Sequence, residues 1–204
     1  MAAPNLKAPV YEESVFINCP FDKRYRPLFQ AMIFTIKACD FTPRCALEFE
    51  GDPNRLQKIT TVIRNCKFGV HDVSLPDGRL NMPLELGLFM GCQTYGYSKH
   101  KNKTYLILEG QPFSSKAYLS DLAGQDPMAH YGKPIKVIEC LRDWLVSNAK
   151  DPSMIPSSDY IKKKYKVFKT ELPAMCAAIK WNEKNLLFPE FLGLAETWLA
   201  INFR

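Results

Sequence analysis

Lys67-Phe68-Gly69-Val70-His71-Asp72-Val73 runs into the turn Leu75-Pro76-Asp77-Gly78-Arg79, and that turn into Asn81-Met82-Pro83-Leu84-Glu85-Leu86-Gly87-Leu88-Phe89-Met90-Gly91. The first stretch is short and apolar, which fits a buried strand. The last has a proline just inside its start and is apolar or small for two further turns, which fits a helix capped by Asn81. Glu85 is the only ionisable group in that helical run. A carboxylate in apolar surroundings is costly unless it is paired or used. Two readings follow. Glu85 answers the positive end of the helix dipole, or it stands at the carboxyl edge of a sheet, where open α/β folds place their ligands.

Working outward, the same strand–helix alternation continues on both sides. Ser14-Val15-Phe16-Ile17-Asn18-Cys19 reads as a buried strand, followed by the loop Pro20-Phe21-Asp22-Lys23-Arg24-Tyr25 and a helix over 27–39. Residues 41–49 read as a second strand. Asp52-Pro53 then opens a helix whose Leu56, Ile59, Ile63 and Cys66 form one stripe. Beyond the Glu85 helix lie a loop over 94–103, a strand over 104–109 and a short helix over 114–122. A brief extended piece at 128–131 and a helix over 134–148 complete the alternation, the helix burying Ile135, Ile138, Leu141 and Leu145. This pattern predicts an α/β fold, a parallel sheet with helices on both faces, and function at the carboxyl ends of the strands.

The expected organisation has three parts. Residues 1–13 form a flexible arm, 14–149 the α/β domain with the site, and 150–204 a helical extension. The extension begins after a linker with two prolines and holds helices near 159–179 and 189–201. Phe191, Leu194, Trp198 and Leu199 recur at helical steps there and are expected to pack on the domain or on a second copy of the chain, so a homodimer is an open expectation. Lys162, Lys163, Lys164, Lys166 and Lys169 read as a solvated face ahead of an anion-binding one.

The totals exclude several classes. The chain has 204 residues, 47% of them hydrophobic, and a formal net charge of +6. That charge suits a phosphate-bearing small molecule better than a nucleic acid, whose binders concentrate their cations. No apolar run reaches the length of a membrane span, and the N-terminus lacks a secretory core. The seven cysteines contain no CxxC pair and the three histidines stand far apart, so no metal site is expected and the thiols read as free and buried, in a cytoplasmic protein. No GxGxxG, GxxxxGK[ST] or Gly-x-Ser-x-Gly is present, which lowers dehydrogenases, nucleoside triphosphatases and serine hydrolases. Cys19 ends a strand but has no histidine placed to pair with it and reads as structural. His71 reads as a satisfied core histidine.

What remains is a set of carboxylates on loops expected to converge: Asp22, Asp72, Asp77, Glu85, Asp121 and Asp126. Such a set suits chemistry at a sugar's anomeric carbon, where one carboxylate stabilises an oxocarbenium-like centre or attacks it and a second acid protonates the departing base.

Two resemblances bear on this. The segment Asn81-Met82-Pro83-Leu84-Glu85-Leu86-Gly87, after a strand ending in Asp72, resembles the nucleophile region of nucleoside 2-deoxyribosyltransferases, although Pro83 and Leu84 separate Met82 from Glu85. Val15-Phe16-Ile17-Asn18-Cys19-Pro20-Phe21-Asp22 is similar to the first strand and loop of TIR domains, with Asn18-Cys19 in place of Ser-Tyr. Ile63-Arg64-Asn65-Cys66-Lys67-Phe68-Gly69-Val70-His71-Asp72-Val73-Ser74 resembles the passage before the catalytic glutamate of TIR enzymes. The likeness covers roughly residues 14–131.

The resemblance implies a three-layer flavodoxin-like fold and an enzyme that hydrolyses or transfers at the N-glycosidic bond of a nucleoside, a nucleotide or NAD. Glu85 would act at the anomeric carbon, with Asp72 and Asp77 orienting the sugar or Glu85. Asn18, Phe21, Asp22, Asn81 and Met82 would line the pocket, with Asp121 and Asp126 as a late acidic loop and Asp126 as the acid. No cofactor is implied; NAD enters only as substrate. The rival reading is a non-catalytic TIR-like module that senses a nucleotide or assembles.

Overall fold

The computed structural model describes residues 10–48, 54–74, 80–122 and 124–203. Five strands, β1 (Ser14–Asn18), β2 (Thr42–Arg44), β3 (Phe68–Asp72), β4 (Thr104–Glu109) and β5 (Met128–Ala129), form one sheet. All neighbouring pairs are parallel, in the order β2-β1-β3-β4-β5. This is the flavodoxin-like strand order, which reverses direction between β1 and β3. Among the described residues six α-helices complete the chain: α1 (Arg26–Ala38), α2 (Arg55–Arg64), α3 (Asn81–Tyr95), α4 (Pro134–Asn148), α5 (Ser158–Ala178) and α6 (Phe188–Asn202).

β1 and β3 are buried along their whole length, as strands covered on both faces must be. Successive side chains point to opposite faces, and this alternation divides the core in two. Val15, Ile17, Phe68, Val70, Leu106 and Leu108 face α1 and α4. Phe16 faces the other way and packs with Ile59, Val62, Ile63 and Phe89 of α2 and α3. Gly69 lies on that second face for a steric reason. A β-carbon there would come within 2.5 Å of the His71 ring and 2.8 Å of Phe89.

The helices α5 and α6 cover α1 and α4, so that side of the sheet carries two helical layers. Phe34 of α1 sits against Phe168 of α5 with ring centres 5.2 Å apart and against Trp198 of α6 at 6.0 Å. The Trp198 indole N–H donates to Glu171 at 2.6 Å, which meets the need of a buried indole for an acceptor. Phe191, Leu194, Trp198 and Leu199 are thereby buried within the chain itself. Part of the basic run of α5 is also spent internally: Lys162 pairs with Glu139 and Asp159, and Lys169 with Glu183.

Several elements differ from the sequence reading. The second strand stops at Arg44 because Glu48 accepts from the Arg44 guanidinium and from the Cys45 N–H, turning the chain over Ala46–Glu48. Pro43 is tolerated in β2 because that strand is an edge of the sheet. The second helix is capped by Asn54, whose side chain accepts from the Gln57 N–H; the expected opening residues Asp52 and Pro53 lie outside the described residues. Asn81 is the first helical residue of α3 and not its cap; Leu80 stands at the N-cap and makes no side-chain cap bond. The expected helix over 114–122 is two separate 3-10 turns, Ser114–Ala117 and Ser120–Leu122. Glu109 draws the first of these together by accepting from Phe113, Ser114 and Ser115.

Candidate active site

The carboxyl ends of β1 and β3 flank the point where strand order reverses, and α3 starts beside them. Asn18, the last residue of β1, aims its amide at the α3 side of the sheet. It donates to the Met82 carbonyl at 2.8 Å and to Nδ1 of His71 at 3.0 Å. An amide N–H bonds Nδ1 only where that nitrogen carries a lone pair, so the His71 proton resides on Nε2. Nε2 has no partner among the described residues, and the ring is enclosed by Phe16, Phe89 and Tyr105. Burial, helped by the Lys103 charge, holds the His71 pKa down at about 3. His71 is therefore a neutral core residue with one nitrogen unsatisfied, not the fully satisfied one expected. Asn18 likewise spends its amide hydrogens inside the fold, one on the first turn of α3 and one on His71 of β3.

That first turn places Glu85 at the wall of a cleft of about 280 Å³, lined also by Cys19, Phe21, Asp22, Leu47, Arg55, Asn81 and Met82. Glu85 is 7% exposed. No described residue donates a hydrogen bond to it or forms an ion pair with it. Burial raises its pKa to about 7, and the Arg55 charge works in the opposite direction. The result is a carboxylate that exchanges its proton near neutral pH and faces open space. Enzymes tune general acids, bases and nucleophiles into this range by burial.

Asp72 lies at the same edge of the sheet but on the opposite face, in phase with Phe68 and Val70. It is fully buried. One oxygen accepts from the Ser74 N–H at 2.8 Å; the other accepts from the Tyr25 hydroxyl and from Nε2 of His130, the latter at 2.8 Å. The Gly132 N–H donates to Nδ1 of His130 at 3.0 Å, so His130 is the Nε2–H tautomer and a hydrogen-bond donor to Asp72. Ser74 Oγ lies 3.3 Å from the same nitrogen. The network ties the loop before α1, the end of β3 and the end of β5 together. Its chemistry is positional: the carboxylate has three donors and no exposed oxygen to offer a sugar hydroxyl. An open hollow of about 580 Å³ lies beside it, bordered by Tyr25, Ser74, Gln111, Ser114, Tyr118 and His130.

The remaining expected site residues separate into groups. Phe21 and Asp22 line the Glu85 cleft, as do Asn81 and Met82. Phe21 packs edge-on against Phe29 at 5.1 Å. Asp22 accepts from the backbone N–H groups of Arg24 and Tyr25, which shapes the entry into α1. Asp121 and Asp126 are exposed, Asp126 in left-handed backbone (φ 46°), and neither borders the cleft. Asp77 lies outside the described residues. Cys19 lines the cleft, but burial and the neighbouring carboxylates push its thiol well above the usual range, which opposes a nucleophilic thiolate. Three contributors escaped the sequence reading: Arg55 in the cleft, and Tyr25 and His130 around Asp72. Arg55 heads an amphipathic helix and looks like any solvated arginine. Tyr25 and His130 meet Asp72 only through the fold, across 47 and 58 residues of chain.

Comparison with family models, with curated proteins and with solved structures returns no match to this chain. The fold and the site geometry therefore carry the functional argument. Among the described residues no group of three His, Cys, Asp or Glu is placed to hold a metal, and no helix is long and apolar enough to cross a membrane.

Proposed function

We propose that the chain breaks the N-glycosidic bond of a nucleoside, a nucleotide or NAD, by hydrolysis or by transfer of the sugar, with Glu85 at the anomeric carbon. The C1′–N bond breaks and its electron pair leaves with the base. The Glu85 carboxylate stabilises the cationic C1′ or bonds to it. Water, or an acceptor base, then forms the new bond at C1′. Where Glu85 has bonded there, that bond breaks with its electron pair returning to the carboxylate. The proton given up by the water or acceptor goes to the departed base or to solvent. Of the acid groups expected to serve, Asp72 acts through position alone, by holding the loop that carries Phe21 and Asp22.

The observation that supports this reading is the state of Glu85: buried, without a partner among the described residues, beside a cleft and titrating near neutrality. The other deeply buried carboxylates among the described residues, Asp72 and Glu109, are each held by at least three hydrogen bonds. A carboxylate kept only for packing has no reason to remain the unpaired one. The test is release of free base from NAD and from a panel of nucleosides and nucleotides. Glu85→Gln is expected to slow release roughly 100- to 1,000-fold, the loss seen when one electrostatic group is removed from a reacting centre. Equal rates in the two proteins refute the role.

A second reading, a module that assembles without turnover, draws on one observation. α3 is apolar around most of its circumference, and Leu84 and Tyr95 are 58% and 89% exposed on it. A nucleotide that raises the melting temperature without being consumed, together with a concentration-dependent oligomer, would favour this reading.

A further inference from the structure

Among the described residues Arg55 is the one cation that lines the Glu85 cleft. It is the first residue of α2 and solvent-exposed, and it borders the same hollow as Glu85, Asp22 and Asn81. Several cations elsewhere on the domain are paired: Arg44 with Glu48, Lys67 with Glu12, Lys37 with Glu196. Arg55 forms no ion pair among the described residues. Its charge reaches Glu85 electrostatically, but the two do not come within ion-pair distance. A guanidinium with five donors, held at a cleft wall with none committed to a carboxylate, matches a phosphate in geometry and charge. The first turn of α3 presents Asn81 and Met82 on another wall of the cleft.

We propose that Arg55 is the specificity-determining residue of this cleft and binds a phosphate of the substrate, so that the site takes phosphorylated nucleosides in preference to free ones. The proposal rests on the reading of the cleft as a sugar site. The lining supports the assignment of phosphate over a neutral ring substituent: among the described residues its charged groups are Arg55, Glu85 and Asp22, so an anionic group seated in the cleft is attracted by Arg55 and repelled by the two carboxylates. Recruitment of Arg55 by the phosphate also withdraws its charge from Glu85.

The test is a binding measurement with Glu85→Gln protein, in which turnover does not interfere. Adenosine, guanosine, cytidine and uridine are titrated against their 5′-monophosphates, with inorganic phosphate as competitor. The monophosphates are expected to bind at least about tenfold tighter than the matched nucleosides, with the difference shrinking as salt rises. Adding Arg55→Gln is expected to abolish that ratio, and Arg55→Lys to restore part of it. Equal affinities within each pair, or a ratio that survives Arg55→Gln in a protein with unchanged melting temperature, overturn the proposal. Base release by the otherwise unaltered protein is measured separately. If Glu85→Gln releases base as fast as the unaltered chain, the glycosidic reading fails while the affinity ratio still decides Arg55.

Discussion

Asp72 and Glu85 are two buried carboxylates at one edge of one sheet, and the protein treats them in opposite ways. Asp72 points to the α1 face and meets Tyr25, Ser74 and His130, so its charge is answered from within. Glu85 approaches from the α3 face and meets a cleft. The difference originates in the two-residue period of β3, which sends Asp72 to the side of Phe68 and Val70 and away from α3. A carboxylate saturated by donors is a structural member. One desolvated without donors costs stability at neutral pH.

The first way to break the comparison is to delete each carboxylate in turn. Asp72→Ala leaves a tyrosine hydroxyl, an imidazole N–H and a backbone N–H unanswered in the core. It is expected to cost roughly 3–5 kcal/mol, the range for a buried network that loses its central charge. For a domain of this size that lowers the melting temperature by about 10 °C. A loss under about 1 kcal/mol in denaturant titration would show the network to be incidental.

Glu85→Gln is expected to act in the other direction, and only above acidic pH. The folded pKa of Glu85 is raised by burial to about 7, from an ordinary glutamate value of 4.5. The folded state therefore binds the proton more tightly than the unfolded state. The stability this confers is complete below pH 4.5 and is lost as pH rises through 7. Removing the titration should make Glu85→Gln more stable than the unaltered chain at pH 8 by roughly 2–3 kcal/mol relative to the same difference at pH 5. A gap that does not change between the two pH values would mean that Glu85 is not desolvated.

Lys103 sharpens the comparison from the amino end of the sheet. It is almost fully buried and its pKa is lowered to about 8 by burial, yet its ammonium donates to the Ile63 carbonyl at 2.8 Å and to that of Cys66, and lies over the Phe89 ring. These carbonyls belong to the end of α2, where a cation also meets the negative pole of the helix. Lys103 is thus the cationic counterpart of Asp72, buried and answered. Lys103→Met keeps the aliphatic stem and loses the capping; a cost of about 1–2 kcal/mol is expected from thermal melts. A more stable variant would show that desolvation outweighs the capping.

The pattern of legibility follows the same physics. Periodicity and punctuation locate α1, α3, α4 and the two long C-terminal helices to within a few residues, because each buries an apolar face bounded by prolines or polar turns. The lone charge in 81–91 singles out Glu85 for the same reason. Asp72 shows what reading along the chain misses. It is a candidate in the sequence as the acidic end of a strand, among loops expected to converge and within the family resemblance, whereas the alternation Phe68, Val70, Asp72 assigns it to the face opposite α3. Asn18 is similar: its amide serves Met82 and His71, partners 64 and 53 residues away. Arg55, Tyr25 and His130 carry no local signal, since their roles exist only once β1, β3 and β5 are side by side.

The central claim is that Glu85 acts, ionised, on a sugar bound in its cleft. It is tested most directly by the rate of base release between pH 5 and 9 from the best substrate of a panel of NAD, nucleosides and nucleotides, with the unaltered chain and with Glu85→Gln. The unaltered chain is expected to gain activity as pH rises through about 7, where Glu85 loses its proton. Arg55→Gln, by removing the charge that lowers that pKa, should move the rise to higher pH, and Glu85→Gln should show no rise and little activity. A Glu85→Gln protein that releases base at the full rate, with the same pH profile, would contradict the account.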